Sequence, residues 1–184
     1  MLTRSYYWRI PAFILLAGFF FSCVNDLDSI KKISHRITDP DERTSNLKVL
    51  YSDSGHVQVE VFAQLAETYS YPKPVVKLKD SIEVKFFNEF GDVVSRLTAL
   101  YGEINQKEGL MFVRDSVELY NLEKNQRLET EELHWNQKDS TIFTDKPVVV
   151  RTENALFYGK GIRTKQDFKN YVFLKPRGKM NIKN

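Results

Sequence analysis

The sequence predicts an all-β fold built from antiparallel strands. Its 184 residues include 13 Phe and 9 Tyr, and Val, Ile and Thr are also abundant. These residue types favour strands. Several segments alternate apolar and polar residues, which is the period of a half-buried strand, and no segment after Asn46 has a persuasive helical period. Together these observations predict a sheet with one apolar face.

The chain begins with a segment that is typical of a signal or anchor. An apolar run from Ile10 to Ser22 follows Arg4 and Arg9 and ends before Cys23, which is the only cysteine. A membrane-spanning helix needs about 20 apolar residues, whereas the apolar region of a signal peptide has about 7–15. We therefore expect a bacterial lipoprotein signal in which Cys23 is the site of lipid attachment.

Two other interpretations of this segment stay open. The residue three positions before the cysteine of a lipoprotein signal is more usually Leu, and here it is Phe20. Tyr6, Tyr7 and Trp8 could form an interfacial belt for an uncleaved membrane anchor. A buried structural cysteine is the third interpretation.

Composition and patterning divide the chain into four segments. We expect a signal peptide or anchor at 1–22, a polar tether at 23–46, one β-domain at 47–178 and a tail at 179–184. The 27 Lys and Arg nearly balance the 24 Asp and Glu. This balance argues against nucleic-acid binding, which requires a clustered basic excess.

Strand signals follow one another closely through the domain. Leu47–Tyr51 and His56–Phe62, separated by an Asp-Ser-Gly turn, predict a hairpin. Prolines predict a loop or sheet edge at 63–74, and 164–171 is the nearest candidate for a helical turn. The remaining predicted strands are 81–86, 93–101, 110–113, 116–120, 126–130, 133–135, 141–144, 148–152, 155–158 and 172–175.

A loose internal repeat runs through these strands. The segment Lys79–Val84 recurs as Arg114–Leu119 and, more weakly, as Thr144–Val150. Each unit looks like two or three short strands without a helix. Such repeats predict a stacked or rolled sheet in which each unit covers the apolar face of its neighbour.

The order of several short motifs resembles the LptC family of periplasmic lipopolysaccharide-export proteins, in versions from Bacteroidetes-like bacteria. The resemblance covers roughly 47–178. The matching residues are Gly91, Leu97, Ala99, Tyr101, Gly102, Asp115, Val117, Leu119, Asn121, Leu128, Thr130, Leu133, Trp135, Thr144, Asp145, Pro147, Val148, Gly159, Gly161, Asp167, Phe168 and Tyr171.

The resemblance implies a twisted, open β-jelly roll of the OstA-like kind, with a V-shaped apolar groove. It implies lipopolysaccharide as the ligand, bound through its lipid A acyl chains. The implied partners are the subunits of an inner-membrane ATP-binding cassette transporter and an LptA-like bridge protein. The implied location is the periplasmic side of the inner membrane, where a lipid anchor or a single N-terminal helix would hold the chain.

Alternating apolar residues supply the candidate walls of this groove. The same alternation would also fill the closed core of a β-sandwich, and the residues alone favour that interpretation. The resemblance favours a groove. The candidate groove residues are Val57, Val59, Val61, Ile82, Val84, Phe86, Leu97, Val117, Leu119, Val148 and Val150.

The last predicted strand is a candidate docking edge for the bridge protein, because an open jelly roll leaves unpaired strand edges. The candidates are Tyr171, Phe173 and Lys175, and we expect Pro176 to end the strand. An ordinary closing strand is the alternative.

The sequence predicts neither catalysis nor a cofactor or metal site. His35, His56 and His134 are scattered, and no cluster has the spacing of metal ligands. Gly159–Gly161 lacks the length and the following helix of a phosphate-binding loop. The resemblance implies a lipopolysaccharide transport protein, and a generic exported β-sandwich lipoprotein that binds protein or glycan is the alternative.

Overall fold

The computed structural model describes residues 39–181. The signal or anchor segment, Cys23, most of the tether and residues 182–184 lie outside the described residues. The described part contains nine strands and no helix. The strands are β1 (Glu42–Asp53), β2 (His56–Tyr69), β3 (Val75–Phe87), β4 (Val93–Asn105), β5 (Leu110–Asn121), β6 (Gln126–Asn136), β7 (Thr141–Arg151), β8 (Ala155–Lys165) and β9 (Tyr171–Asn181).

All nine strands form one antiparallel sheet in chain order, from β1 to β9. Each strand pairs with the strand that follows it along the chain, so every connection is a hairpin. The sheet does not close, because β1 and β9 do not pair with each other. This architecture confirms the all-β prediction and fits an open, twisted jelly roll.

Irregularities near the middle of successive strands lie level with one another across the sheet. The pairing skips residues after Lys79 in β3, before Tyr101 in β4 and after Arg114 in β5. Tyr101 pairs with Lys79 on one side and with Arg114 on the other, so the breaks align. A β-bulge bends its strand and increases the local twist. The aligned breaks therefore form a bend line along which the sheet folds over its apolar face.

The internal repeat coincides with this bend line. Asp80, Ser81, Asp115 and Ser116 have φ between +55° and +74°, a left-handed conformation that non-glycine residues adopt rarely. Asp and Asn tolerate that conformation better than most residues do. The Asp-Ser pairs of the repeat are therefore the bulges of β3 and β5.

Several strands that the sequence predicts as separate are the two halves of one bent strand. Segments 110–113 and 116–120 both belong to β5, and 126–130 and 133–135 both belong to β6. The bulge interrupts the alternation of apolar residues, so that the sequence appears to stop and restart. The observed strand ends also differ from the predicted ones. For example, β1 begins at Glu42, whereas the sequence predicted a start at Leu47.

Three local predictions are wrong. Residues 63–69 continue β2, and only 70–74 form a loop, because the prolines lie at its end. Residues 164–171 contain no helix and instead end β8 and connect it to β9. Pro176 does not end β9, which continues to Asn181, because edge strands tolerate proline.

The core lies on the inner face of the folded sheet. Rings from distant strands meet there: the Trp135 ring centroid is 5.7 Å from that of Tyr51 and 6.0 Å from that of Phe86. These residues belong to β6, β1 and β3, which are not neighbours in the sheet. Only a sheet that curls over itself brings them together, and its interior is continuous and apolar.

Candidate functional site

The folded sheet brings the candidate groove residues together on its inner face. Ten of the eleven are buried, with at most 4 % of their surface exposed, and Val57 is half-buried. Burying such side chains contributes roughly 1.5–3 kcal/mol each. The sequence pattern therefore identifies an interior surface, whether it serves as a core or as a lipid path.

This interior is filled by its own side chains. A cavity of about 10 Å³ remains between residues such as Val84, Phe86, Leu97 and Leu133. A cavity needs at least roughly 10–15 Å³ to hold one water molecule. An acyl chain could enter this interior only if side chains or strands moved apart.

Trp135 places a polar indole N–H within the aromatic part of this interior. Only 6 % of the surface of Trp135 is exposed. Its indole Nε1 is the one buried side-chain nitrogen among residues 39–181 that has no hydrogen-bond partner. Tyr51 and Phe86 both meet the indole edge-on, with interplanar angles of 78° and 77°.

The loop between β8 and β9 closes over the ends of three other strands. We call residues 166–169 the clasp, because four successive backbone carbonyls in it accept hydrogen bonds from side chains elsewhere in the sheet. Ser95 Oγ donates to Gln166 O at 2.5 Å, Asn121 Nδ2 to Asp167 O at 2.6 Å, Gln126 Nε2 to Phe168 O, and Lys124 Nζ to Lys169 O.

The clasp is anchored in the core as well as by these hydrogen bonds. Phe168 is fully buried, and its ring centroid lies 5.6 Å from that of Tyr171. The donors Ser95 and Asn121 are also fully buried. Buried polar groups are costly unless they are hydrogen-bonded, so these side chains hold the clasp closed. Asn121 and Asp167 both belong to the motifs of the sequence, but nothing in the sequence predicted the hydrogen bond between them.

The docking-edge candidates lie on β9, which has no further strand beside it among the described residues. Tyr171 and Phe173 are half-buried and pack against the core, whereas Lys175 is exposed. The Phe173 ring lies over Gly159, where a Cβ atom would come within 2.4 Å of Phe173 Cδ1. The motif glycine in β8 therefore makes room for an aromatic ring of the edge strand.

Ion pairs cover the outer face. Lys79 Nζ lies 2.7 Å and Arg43 Nε 3.1 Å from the Glu67 carboxylate. The hydrogen bond from Lys79 is the largest cause that lowers the pKa of Glu67 from its usual value. Burial raises the pKa of Tyr101 to about 12, and its hydrogen bond to Glu103 acts in the same direction. These pKa shifts keep Glu67 charged and Tyr101 uncharged at neutral pH.

The remaining polar residues form no reactive cluster within residues 39–181. Nowhere in this range do three His, Cys, Asp or Glu side chains come together in a way that could hold a metal ion. His134 is stacked between Phe112 and Phe143, with ring centroids 5.0 and 5.2 Å away. Over the same range, no helix has the length and apolarity needed to cross a membrane.

The fold and the interior define a class of protein: a single open sheet folded over an apolar interior, whose two edge strands have no further partner among residues 39–181. The family model described as "Lipopolysaccharide-assembly, LptC-related" matches residues 12–175. The match spans most of the chain, which therefore belongs to the LptC family. The protein is accordingly a component of lipopolysaccharide transport in the cell envelope, and the family is not one of enzymes. No curated protein matches the chain.

Proposed function

We propose that this protein accepts lipopolysaccharide from the inner-membrane transporter in its apolar interior and passes it to a bridge protein. The observation that carries the proposal is the convergence of the predicted groove residues on one continuous inner face. Each CH₂ group kept from water contributes about 0.8 kcal/mol. A lipid moving through the periplasm therefore needs such a surface along its path.

Passage requires the interior to open, because its side chains fill the space. The open sheet supports such a motion, since β1 and β9 are not joined. The clasp opposes it, because separation at the ends of β4, β5 and β6 would break its hydrogen bonds and withdraw Phe168 from the core. An interior that is closed at rest protects its apolar surface from water until lipid arrives.

The outer edge of β9, which no other strand of residues 39–181 covers, is the proposed docking site for the bridge protein. Backbone groups along an edge strand can pair with a strand of a partner. Tyr171 and Phe173 fix the inner side of this strand against the core, and Lys175 extends into solvent. An added strand there would continue the inner apolar face into the partner.

Depletion of the protein tests the proposed function in cells. We expect lipopolysaccharide to accumulate at the inner membrane and delivery to recover when the full chain is supplied again. A generic exported lipoprotein would leave delivery unchanged on depletion, and that result would contradict the proposal.

We also propose that Cys23 is acylated and holds the domain at the periplasmic side of the inner membrane. A tethered domain stays close to the transporter that supplies its lipid. Cys23→Ala should abolish labelling by a radioactive or clickable fatty acid. If the variant still fractionates with membranes at unchanged gel mobility, an uncleaved helical anchor is the correct account.

A further inference from the structure

The indole of Trp135 carries an N–H group without a hydrogen-bond partner among residues 39–181, in an apolar interior. Its Nε1–H is buried and donates to no acceptor among residues 39–181. The neighbouring cavity of about 10 Å³ is at the lower limit of the roughly 10–15 Å³ that one ordered water needs. A buried donor without a partner lowers the stability of the folded state. Because the free N–H of Trp135 destabilises the lipid-free protein, we look for a hydrogen-bond partner in the lipid-bound protein.

The surroundings restrict which chemistry could satisfy this donor. The cavity beside Trp135 is lined mainly by aliphatic side chains such as Val84, Leu97 and Val113, and His134 is the one titratable residue of its lining. A ligand that reaches the indole must therefore be apolar over most of its length. It must also carry an uncharged hydrogen-bond acceptor, because an anion would lose its hydration in an aliphatic cavity.

We propose that Trp135 is a specificity-determining residue that donates a hydrogen bond to an oxygen of the acyl region of the lipid. An ester carbonyl, an amide carbonyl or a chain hydroxyl has the required chemistry. This inference rests on the proposed function and adds a polar contact to a path that is otherwise apolar. Pure hydrocarbon would slide past Trp135, whereas an acyl chain would be held at its linkage oxygen.

The aromatic neighbours position the indole for this role. Tyr51 and Phe86 meet its ring at 5.7 and 6.0 Å, from β1 and β3 respectively. Two edge-on contacts fix the plane of the ring, so the direction of the N–H is set before lipid arrives. Tyr51 lies on the edge strand β1. Movement of β1 would therefore expose the indole from one side.

An isosteric replacement tests the inference. In benzothienylalanine a sulfur replaces the indole N–H while the two rings keep their shape. We expect the full-length chain with this residue at position 135 to unfold at no lower denaturant concentration than the unmodified chain. We expect its affinity for lipopolysaccharide to fall by about threefold to tenfold, as for the loss of one hydrogen bond.

A vibrational measurement gives an independent readout. In the Trp8→Phe background Trp135 is the only tryptophan. Its ultraviolet resonance Raman spectrum should report a free N–H without lipid and a hydrogen-bonded N–H with lipopolysaccharide. Equal affinities of the two chains, or an N–H that stays free with lipid bound, would overturn the inference while leaving the proposed function intact. Absence of lipopolysaccharide binding by both chains would instead refute the proposed function.

Discussion

The substitution Asp115→Val tests whether the bend line depends on backbone conformation. Asp115 has φ +67°, and its side chain is 55 % exposed, so it contributes little to packing. A left-handed conformation costs a non-glycine residue roughly 1–2 kcal/mol, and a β-branched residue tolerates it least. We expect Asp115→Val to lower the free energy of unfolding by about 2 kcal/mol.

Asp115→Gly is the matched control, because it removes the same carboxylate. The lost ion pair with Arg114 spans 3.7 Å between exposed groups and contributes about 0–1 kcal/mol. Glycine adopts positive φ freely, so this variant should differ from wild type by less than about 1 kcal/mol. The difference between the two variants therefore isolates the backbone conformation.

Urea denaturation followed by circular dichroism measures both variants. Glu118→Val provides a second control, because it places Val at an exposed position of the same strand outside the bulge. Its effect should stay below about 1 kcal/mol, since it loses only an exposed pair with Arg127. If Asp115→Val unfolds at the same urea concentration as Asp115→Gly, the bend line does not require the left-handed conformation and the explanation of the repeat is wrong.

Three further predictions concern the outer face, the edge strand and the clasp. Glu67→Gln should destabilise the domain above about pH 5 and have less effect as the pH falls below the ordinary carboxyl pKa of about 4.3. The reason is that a carboxyl group with a lowered pKa stabilises the fold only while it is charged. Denaturation at several pH values measures the difference between the variant and the wild type. Gly159→Ala should displace the Phe173 ring and speed amide hydrogen exchange in β9, and unchanged exchange would refute the close packing. Phe168→Ala should lower the free energy of unfolding by about 3–5 kcal/mol. The control Phe90→Ala changes a residue that is 89 % exposed and should alter this free energy by less than about 0.5 kcal/mol. Equal effects of the two variants would show that the clasp is not anchored in the core.

Local pattern predicted the strands and the inner face because burial in a sheet follows the two-residue period of the side chains. Val59 and Val61 in β2 and Val117 and Leu119 in β5 alternate with polar neighbours, and all four lie inside. The period fails where a bulge adds a residue. At Asp115 the alternation restarts, and the sequence therefore predicted two short strands where the structure has one.

The clasp could not be predicted, because its donors and acceptors are distant in the chain. Asn121 and Asp167 are 46 residues apart, and Ser95 and Gln166 are 71 apart. Each donor lies at the end of a strand, where an amide or hydroxyl side chain usually indicates a turn. Only the curl of the sheet places the last hairpin over these strand ends. The partnerless N–H of Trp135 is likewise a property of packing that no spacing reveals.

Photo-crosslinking in cells tests the central claim most directly. Residues on opposite faces of the same strand form matched pairs: Phe86 and Leu119 face the interior, and Glu83 and Glu118 face outward. A benzophenone amino acid at Phe86 or Leu119 should capture lipopolysaccharide, and the same group at Glu83 or Glu118 should not. Capture from the outward positions alone would contradict an interior lipid path.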